Sequence, residues 1–341
     1  MGHLRAFHVA ISFALVLLTL LSGVATVPWT SAQDLNGQNA DSTANFSPVY
    51  LGVPQLRESS GLAASNRQPG HFWSHNDSGD TARLFAFNAK GKATGSCDLV
   101  AASSLDWEDM ASFELGDRKY LVVADCGDND SKRDACFLYL FEEPDPTRAT
   151  KLRNYLAIQL TYPDGPHDCE AVAVDPVRGK ILMIAKSAIP YVNMYSVDLA
   201  GLLKRLNGLR TNPPTSTPAA VRVAAKVEGV LALPMVSAAD LDARTGDLWI
   251  ANYFQVFCFR CSPRDMPVAE QIKQLAEASD LPRLRQIEAL CIDDSGDVWV
   301  TSEGTPAPLS RVATPVRSAQ GEAGQHKAGQ RDVDQSDVDS Q

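Results

Sequence analysis

One segment recurs five times along this chain, and this repetition constrains the possible fold more than any other feature. Each copy contains a small or acidic residue, an apolar run, a glycine turn and further short apolar runs. Repetition of this kind is typical of supersecondary units that bury their faces only against one another. The intervals between copies are 48, 62, 67 and 51 residues, and the copies begin at Ser60, Glu108, Glu170, Ser237 and Glu288.

The residues inside each copy predict short antiparallel strands. A glycine lies 8 to 10 residues after each start and predicts a hairpin turn, because glycine adopts the positive φ that tight turns need. These glycines are Gly70, Gly116, Gly179, Gly246 and Gly296. The runs that follow, such as 120–123 and 248–250, are rich in aromatic and branched residues, which favour strands. A third run follows each of them, and a weakly patterned fourth strand, such as 155–160, precedes the next copy.

Four antiparallel strands per repeated unit predict an all-β fold, the β-propeller. The repeats indicate five blades, and a sixth, degenerate blade within 198–236 stays open as an alternative. We expect the N-terminal segment 46–56 to supply the outer strand of the last blade and so close the ring. A solenoid or an open sandwich is the alternative to closure.

The ends of the 341-residue chain differ in composition from the repeats. Residues 1–32 resemble a signal peptide, with basic Arg5, an apolar stretch and small residues at 30–32. This predicts a secreted or periplasmic protein with no membrane attachment after cleavage; an uncleaved anchor is the alternative. We interpret 33–45 as a linker, 46–312 as the propeller domain and 313–341 as a disordered acidic and polar tail.

Charge and cysteine content limit the partners and the covalent links. The net charge of −10, with no basic stripe, argues against a nucleic-acid partner. We expect a monomer that binds a small molecule or a polysaccharide. Export permits disulfides among the seven cysteines, and Cys126 and Cys136, which flank one loop, are a candidate pair. Burial of several cysteines as small apolar residues is the alternative.

Acidic residues occur at equivalent positions of different copies. The first strand of a propeller blade lines the central channel, so the first repeat positions should meet near one mouth of it. Residues two apart on a strand face the same way, which adds Glu58, Asp106 and Asp168. The second strands return to the same face and end at Asn76, Asp125, Lys186, Asn252 and Glu303.

Three interpretations of this acidic site stay open. Carboxylate and amide oxygens are ligands that Ca²⁺ prefers, so a bound calcium ion is the first. A polar ligand pocket with charge compensation by Lys186 is the second, and capping of main-chain N–H groups of neighbouring blades is the third. The predicted metal ligands are Glu108, Glu170, Glu288, Glu303, Asn76 and Asp125. The predicted catalytic residues are Glu170 and Lys186, and further site residues are Glu58, Asp77, Asp106, Asp128, Asp168 and Asp240.

Several motifs together resemble a family of exported bacterial β-propeller proteins, most of them uncharacterised. The more specific ones are Trp-Ser-His-Asn-Asp-Ser-Gly at 73–79 and Asp-Trp-Glu-Asp at 106–109. The family is distantly similar to esterase-like phytases and to calcium-dependent lactonases of the gluconolactonase type. This resemblance spans about 56–312 and implies a propeller with a polar central site that can hold Ca²⁺.

Two functions are consistent with the sequence. The first is a calcium-dependent hydrolase of phosphoesters or lactones, in which a metal ion polarises the substrate. Only Lys186 and Arg133 are candidate phosphate-binding cations, which disfavours phosphoesters. The second is a non-catalytic propeller that binds a protein or polysaccharide partner, with structural carboxylates.

Overall fold

The computed structural model describes residues 46–211 and 219–314. Its first strands are β1 (Val49–Tyr50), β2 (Ser59–Ala64), β3 (His71–Asn76), β4 (Arg83–Asn88), β5 (Ala93–Leu99), β6 (Trp107–Leu115), β7 (Arg118–Asp125), β8 (Cys136–Glu142), β9 (Ala149–Leu152), β10 (Leu156–Thr161), β11 (Cys169–Asp175), β12 (Lys180–Ala185) and β13 (Val192–Asp198). The later elements are α1 (Leu199–Thr211), β14 (Ala219–Ala224), β15 (Lys226–Leu231), β16 (Val236–Leu241), β17 (Leu248–Asn252), β18 (Gln255–Phe259), α2 (Val268–Gln271), β19 (Glu277–Asp280), β20 (Ile287–Ile292), β21 (Val298–Ser302) and β22 (Pro308–Arg311).

The described strands form five sheets, which are the five blades of a β-propeller. Blades 1 to 5 begin with β2, β6, β11, β16 and β20, and each continues outwards through a hairpin into its second and third strands. The inner strands contact their counterparts in neighbouring blades, including β2 with β20, so the blades form a ring. The prediction of an all-β, five-bladed propeller is confirmed.

The N-terminal segment completes the last blade, as predicted. Strand β1 pairs antiparallel with β22, with Val49 opposite Leu309. Blade 5 therefore contains the order β20, β21, β22 and β1, in which the two ends of the propeller sequence share one sheet. The pairing of the first strand with the last strand closes the ring, because it joins the two ends of the propeller sequence in one sheet.

The long intervals after Glu108 and Glu170 contain strands that extend the preceding blade. Strand β9 leaves blade 2 and pairs in parallel with β5 of blade 1. Strand β14 follows α1 and pairs in parallel with β10 of blade 2. The described part of 198–236 thus supplies edge strands to two blades, because β15 completes blade 3. Added strands of this kind cover sheet edges that would otherwise be open.

The apolar core lies between neighbouring blades. Trp73 and Trp107 are fully buried in one cluster shared by blades 1 and 2, and Trp107 makes an edge-on contact with the His75 ring at 5.3 Å. Phe72 of blade 1 lies 5.1 Å from Trp299 of blade 5. Aromatic residues of the inner and second strands therefore pack neighbouring blades against each other.

The predicted signal peptide, the linker at 33–45 and nearly all of the predicted tail at 313–341 lie outside the described residues. Within the described part of the chain, the helices are too short or too polar to span a bilayer.

Candidate functional site at the mouth of the channel

Each inner strand contains a β-bulge, and the bulge coincides with the first position of the sequence repeat. Pairing between the first and second strands changes register there in all five blades. A bulge removes a residue from the hydrogen-bond ladder and redirects its side chain. The residues inside these register changes include Ser60, Glu108, Glu170, Ser237 and Glu288.

The two serines at bulge positions bind the next blade. The Ser60 hydroxyl donates to the main-chain oxygen of Glu108 at 2.5 Å, and that of Ser237 donates to the main-chain oxygen of Ile287 at 3.1 Å. These contacts join blade 1 to blade 2 and blade 4 to blade 5. The bulge positions that carry serine are therefore structural, and those that carry glutamate can face a ligand.

Five carboxylates from three blades meet beside these bulges. Asp77, Asp106 and Glu108 form one group, and Glu108 forms a second group with Asp168 and Glu170. Within each group, one oxygen from every carboxylate lies within 4.8 Å of the others. Asp77 follows β3 of blade 1, Asp106 precedes β6 of blade 2, and Asp168 precedes β11 of blade 3. The ring closure of the propeller thus gathers acids that are up to 93 residues apart in sequence.

Glu108 and Glu170 are the most buried acids of this cluster, with 6% and 5% of their surfaces exposed. Burial raises the pKa of both groups, and their mutual repulsion raises that of Glu108 further. Lys186 opposes the effect at Glu170, because its Nζ lies 2.7 Å from Glu170 Oε1. The two residues predicted to be catalytic, Glu170 and Lys186, are therefore in direct contact.

Asp77 and Glu288 titrate near neutral pH. Burial raises the pKa of Asp77 to about 7, with help from the negative charges of Asp106 and Glu288. Burial also raises the pKa of Glu288 to about 7, and the negative charge of Glu303 is the next largest contribution. Glu288 and Glu303 thus belong to the same electrostatic field, but neither lies in the two compact groups. The predicted site residue Glu58 is exposed and adds its charge to the field around Asp77.

Gly127 makes the close approach of the carboxylates possible. A Cβ atom at this position would overlap Glu108 Oε1 and lie 2.5 Å from Asp106 Oδ2. Any larger residue would push Glu108 and Asp106 away from each other or from the loop. The absence of a side chain at Gly127 therefore leaves the space that Glu108 and Asp106 occupy.

Tyr253 completes the charged side of the site, and the sequence interpretation missed it. Its ring centroid lies 5.5 Å from Lys186 Nζ, and the two side chains affect each other's pKa. Burial raises the pKa of Tyr253. The charges of Lys186, Glu288 and Glu170 also act on Tyr253, so it belongs to the same group of interacting charges. The available signal was its position, because Tyr253 follows Asn252 as Asp77 follows Asn76 in the repeat.

Asn76 and Asp125, predicted as metal ligands, lie outside both carboxylate groups. The Asn76 Oδ1 accepts main-chain N–H groups of Arg57 and Glu58. Asp125 does the same for the N–H groups of residues 105 and 106, and it also pairs with Arg133 at 2.8 Å. Equivalent residues of blades 1 and 2 thus orient the segment that leads into each inner strand.

Asp128 and Asp240 also have structural contacts. Asp128 accepts the main-chain N–H groups of Lys132 and Arg133 and so holds the loop that follows Cys126. Asp240 lies deeper in the channel, where it accepts N–H groups of Leu241 and Ile292. Both were predicted site residues, and neither lies in the two carboxylate groups.

The fully buried Asp109 binds three inner strands at once. It accepts N–H groups of Met110, Val172 and Ala239 at 2.8, 2.8 and 3.3 Å. These donors belong to blades 2, 3 and 4. The capping interpretation therefore describes Asp109 and Asp240, in the channel interior, whereas the acids at the mouth have mainly acidic neighbours.

The predicted disulfide between Cys126 and Cys136 is not formed. All seven cysteines fall within the described residues, and all have free, buried thiols. The Cys126 thiol donates to the main-chain oxygen of Cys169 in blade 3, and the Cys136 thiol faces the main-chain oxygen of Cys126 at 3.7 Å. Proximity along the sequence suggested Cys136 as the partner of Cys126. The contact between blades 2 and 3 places Cys169 beside Cys126 instead.

Comparison with known proteins adds only distant likenesses. No family model matches the chain, and no curated protein matches it. The Dos1 propeller is 8% identical, with a TM-score of 0.36 over 74% of this chain and 68% of that one. A gluconolactonase from Xanthomonas campestris, important in glucose secondary metabolic pathways, is 11% identical, with a TM-score of 0.40 over 78% and 88% of the two chains. The five sheets described above are what define this chain as a β-propeller.

Proposed function

We propose that the mouth of the channel is a calcium-dependent active site that hydrolyses lactones or related esters. The observation that supports it is the pair of carboxylate groups that share Glu108. Five acids held this close repel one another unless they are protonated or bound to a cation. Calcium accepts several carboxylate oxygens in flexible geometry, which suits acids that come from loops and bulges of three blades.

Two features of the cluster fit a cation. Asp77 Oδ1 is buried and has no hydrogen-bond partner among the described residues. Gly127 leaves a cradle against Glu108 and Asp106 that a side chain would fill. Asp77, Asp106 and Glu108 are therefore our proposed ligands, and Asp168 extends the set towards blade 3.

The neighbouring residues supply acid–base chemistry. A bound calcium ion would polarise the substrate carbonyl as a Lewis acid. Glu170, with its raised pKa and its contact with Lys186, accepts the proton of the attacking water. Lys186 stays charged, because Glu170 outweighs the effect of burial and keeps its pKa raised. The Lys186 amine and the Tyr253 hydroxyl can then donate hydrogen bonds to the oxygen that gains negative charge.

The charge balance favours a carbonyl substrate over a phosphoester. Phosphoester recognition usually needs several free cationic groups. The two cations that the sequence suggested are each paired with a carboxylate, Lys186 with Glu170 and Arg133 with Asp125, so neither adds net positive charge to the cavity. A neutral lactone brings no extra negative charge into the acidic cavity.

A non-catalytic propeller that binds a protein or polysaccharide is the second candidate function. Its support is a set of exposed apolar side chains on the loops of blades 2, 3 and 4 at the same end as the acids. These are Leu105, Ile189, Tyr191 and Phe254, which are 61 to 71% exposed. Exposed aromatic and aliphatic side chains of this kind are surfaces on which a partner can pack.

A substrate panel distinguishes the two functions. Lactones, carboxyl esters and phosphoesters are tested with Ca²⁺ and with EDTA, and elemental analysis measures the metal in the purified protein. We expect calcium-dependent turnover of lactones or esters, which Glu170→Gln abolishes. The control is Glu228→Gln, because Glu228 forms a second Lys–Glu pair of blade 3, with Lys180 at 2.6 Å, away from the acid cluster. Absence of turnover on the whole panel would favour the binding function.

A further inference from the structure

Cys126 and Cys169 are direct neighbours where blade 2 contacts blade 3. The main-chain N–H of Cys169 donates to the oxygen of Cys126 at 3.2 Å. In return, the Cys126 thiol donates to the oxygen of Cys169 at 2.9 Å. Both residues are completely buried, and neither is paired in a disulfide.

This geometry is compatible with a covalent bond. A main-chain N–H···O=C bond between two segments holds their Cα atoms within roughly 5–7 Å of each other. A disulfide spans about 4.4–6.8 Å between Cα atoms. The pair is therefore within the range of a disulfide, which would form through rotation of the two side chains about their Cα–Cβ bonds.

We propose that Cys126 and Cys169 form a disulfide that joins blades 2 and 3 when the chain folds in the presence of a small disulfide oxidant such as oxidised glutathione. The two thiols lose two protons and two electrons as the S–S bond forms. Oxidised glutathione gains them and is cleaved to two glutathione thiols. The exchange takes place before the blades close, because the folded protein buries both sulfur atoms.

Cys136 is the third cysteine of this region, but its surroundings differ. Its thiol points towards the main-chain oxygen of Cys126 at 3.7 Å, whereas the Cys169 thiol points towards the main-chain oxygen of Ala171 at 3.8 Å. Cys136 is therefore the natural control for the proposed pair.

The disulfide has a consequence for the acidic site. Cys169 directly precedes Glu170, and Cys126 directly precedes Gly127, which packs against Glu108. A bond between the two cysteines fixes the separation of blades 2 and 3 at the point where their glutamates meet. This inference rests on blade contacts alone and does not depend on the proposed hydrolase.

Peptide mapping tests the pairing directly. The full chain is refolded in a glutathione redox buffer, unfolded in guanidinium with iodoacetamide and digested with trypsin. Cleavage at lysine and arginine separates the three cysteines into peptides 120–132, 134–148 and 154–178. We expect a species in which 120–132 is linked to 154–178 and which separates on reduction. A link between 120–132 and 134–148, or alkylation of all three cysteines, would overturn the proposal.

Two variants provide a second measurement. In Cys136→Ser we expect the same linked peptides, and a melting temperature that falls by roughly 5–10 °C when the protein is reduced. In Cys169→Ser we expect no linked species and no effect of reductant. If Cys169→Ser does not fold, mapping of the wild type and of Cys136→Ser still decides the pairing. A Cys136→Ser protein without the linked peptides contradicts the inference.

Discussion

The mouth and the interior of the channel use the same type of residue in opposite ways. Glu108 and Asp109 are adjacent on β6, both are acidic, and both are buried. Asp109 accepts three main-chain N–H groups from three blades, whereas Glu108 faces the carboxylates of Asp106, Asp168 and Glu170. An acid that accepts main-chain N–H groups stabilises the ring. An acid that lies among other acids is repelled by them when it is charged, and a cation can relieve this repulsion.

The reason for the difference is the bulge at Glu108. It redirects the glutamate side chain towards the mouth, and regular pairing resumes at Asp109, opposite Ala124. Positions equivalent to Asp109 in the other blades carry Gly61, Ala171, Ala238 and Ala289. Among the five blades, only blade 2 therefore carries an acid at this position.

The largest expected effect is on activity, from Glu108→Gln. Removing the charge of the shared acid should lower turnover at least about 100-fold. The melting temperature of the calcium-free protein should rise, because folding no longer requires a carboxylate to take up a proton at a position where burial and Glu170 raise its pKa. Enzyme kinetics and thermal unfolding in EDTA measure the two effects. Glu114→Gln, at the exposed far end of the same strand, is the control and should change neither quantity. A less stable Glu108→Gln protein would contradict the comparison.

The next effect is on folding, from Asp109→Ala. Three main-chain N–H groups lose their acceptor inside the channel, so we expect the free energy of unfolding to fall by about 3 kcal/mol. Denaturant unfolding measures the change. Asp117→Ala, in the exposed turn after β6, should stay within about 0.5 kcal/mol of wild type. An equal loss of unfolding free energy in the two variants would contradict a structural role of Asp109.

The smallest effect is the pH dependence at the mouth. Asp77 and Glu288 have folded pKa values of about 7, above the ordinary values of 3.8 and 4.5. Between those limits the folded state binds more protons than the unfolded state, so stability without calcium should fall as pH rises from about 4 to about 7.

In the proposed site, calcium would compete with these protons, so its stabilising effect should grow over the same range. At pH 8, an excess of about 100 times the dissociation constant adds about 2.7 kcal/mol, or roughly 5–10 °C in melting temperature. At pH 5 we expect less than half of that shift. Thermal unfolding with Ca²⁺ and with EDTA at both pH values measures it, and Asp77→Asn should flatten the profile. A calcium shift that is the same at pH 5 and pH 8 rules out a role for these acids.

Sequence repetition was sufficient to predict much of this protein. The equivalent turn glycines and apolar runs determined five blades, and the extra segment before the first copy predicted closure through β1. These features are local, because hairpin turns and strand periodicity depend on neighbouring residues. The repeat also placed Glu108, Glu170 and Lys186 near one another, since equivalent positions of a ring point towards its axis.

Only the tertiary structure decided which polar residue does what. Asn76 and Asp125 looked like ligands in the sequence, but their oxygens accept N–H groups from the segments leading into β2 and β6. Strands β9 and β14 pair with a blade other than their own, which no local pattern indicates. The neighbour of Cys126 is Cys169, which lies in the next blade. Contacts between blades depend on how sheets pack around the axis, and that arrangement, rather than residue type, separates the acids that hold the ring together from those that face its opening.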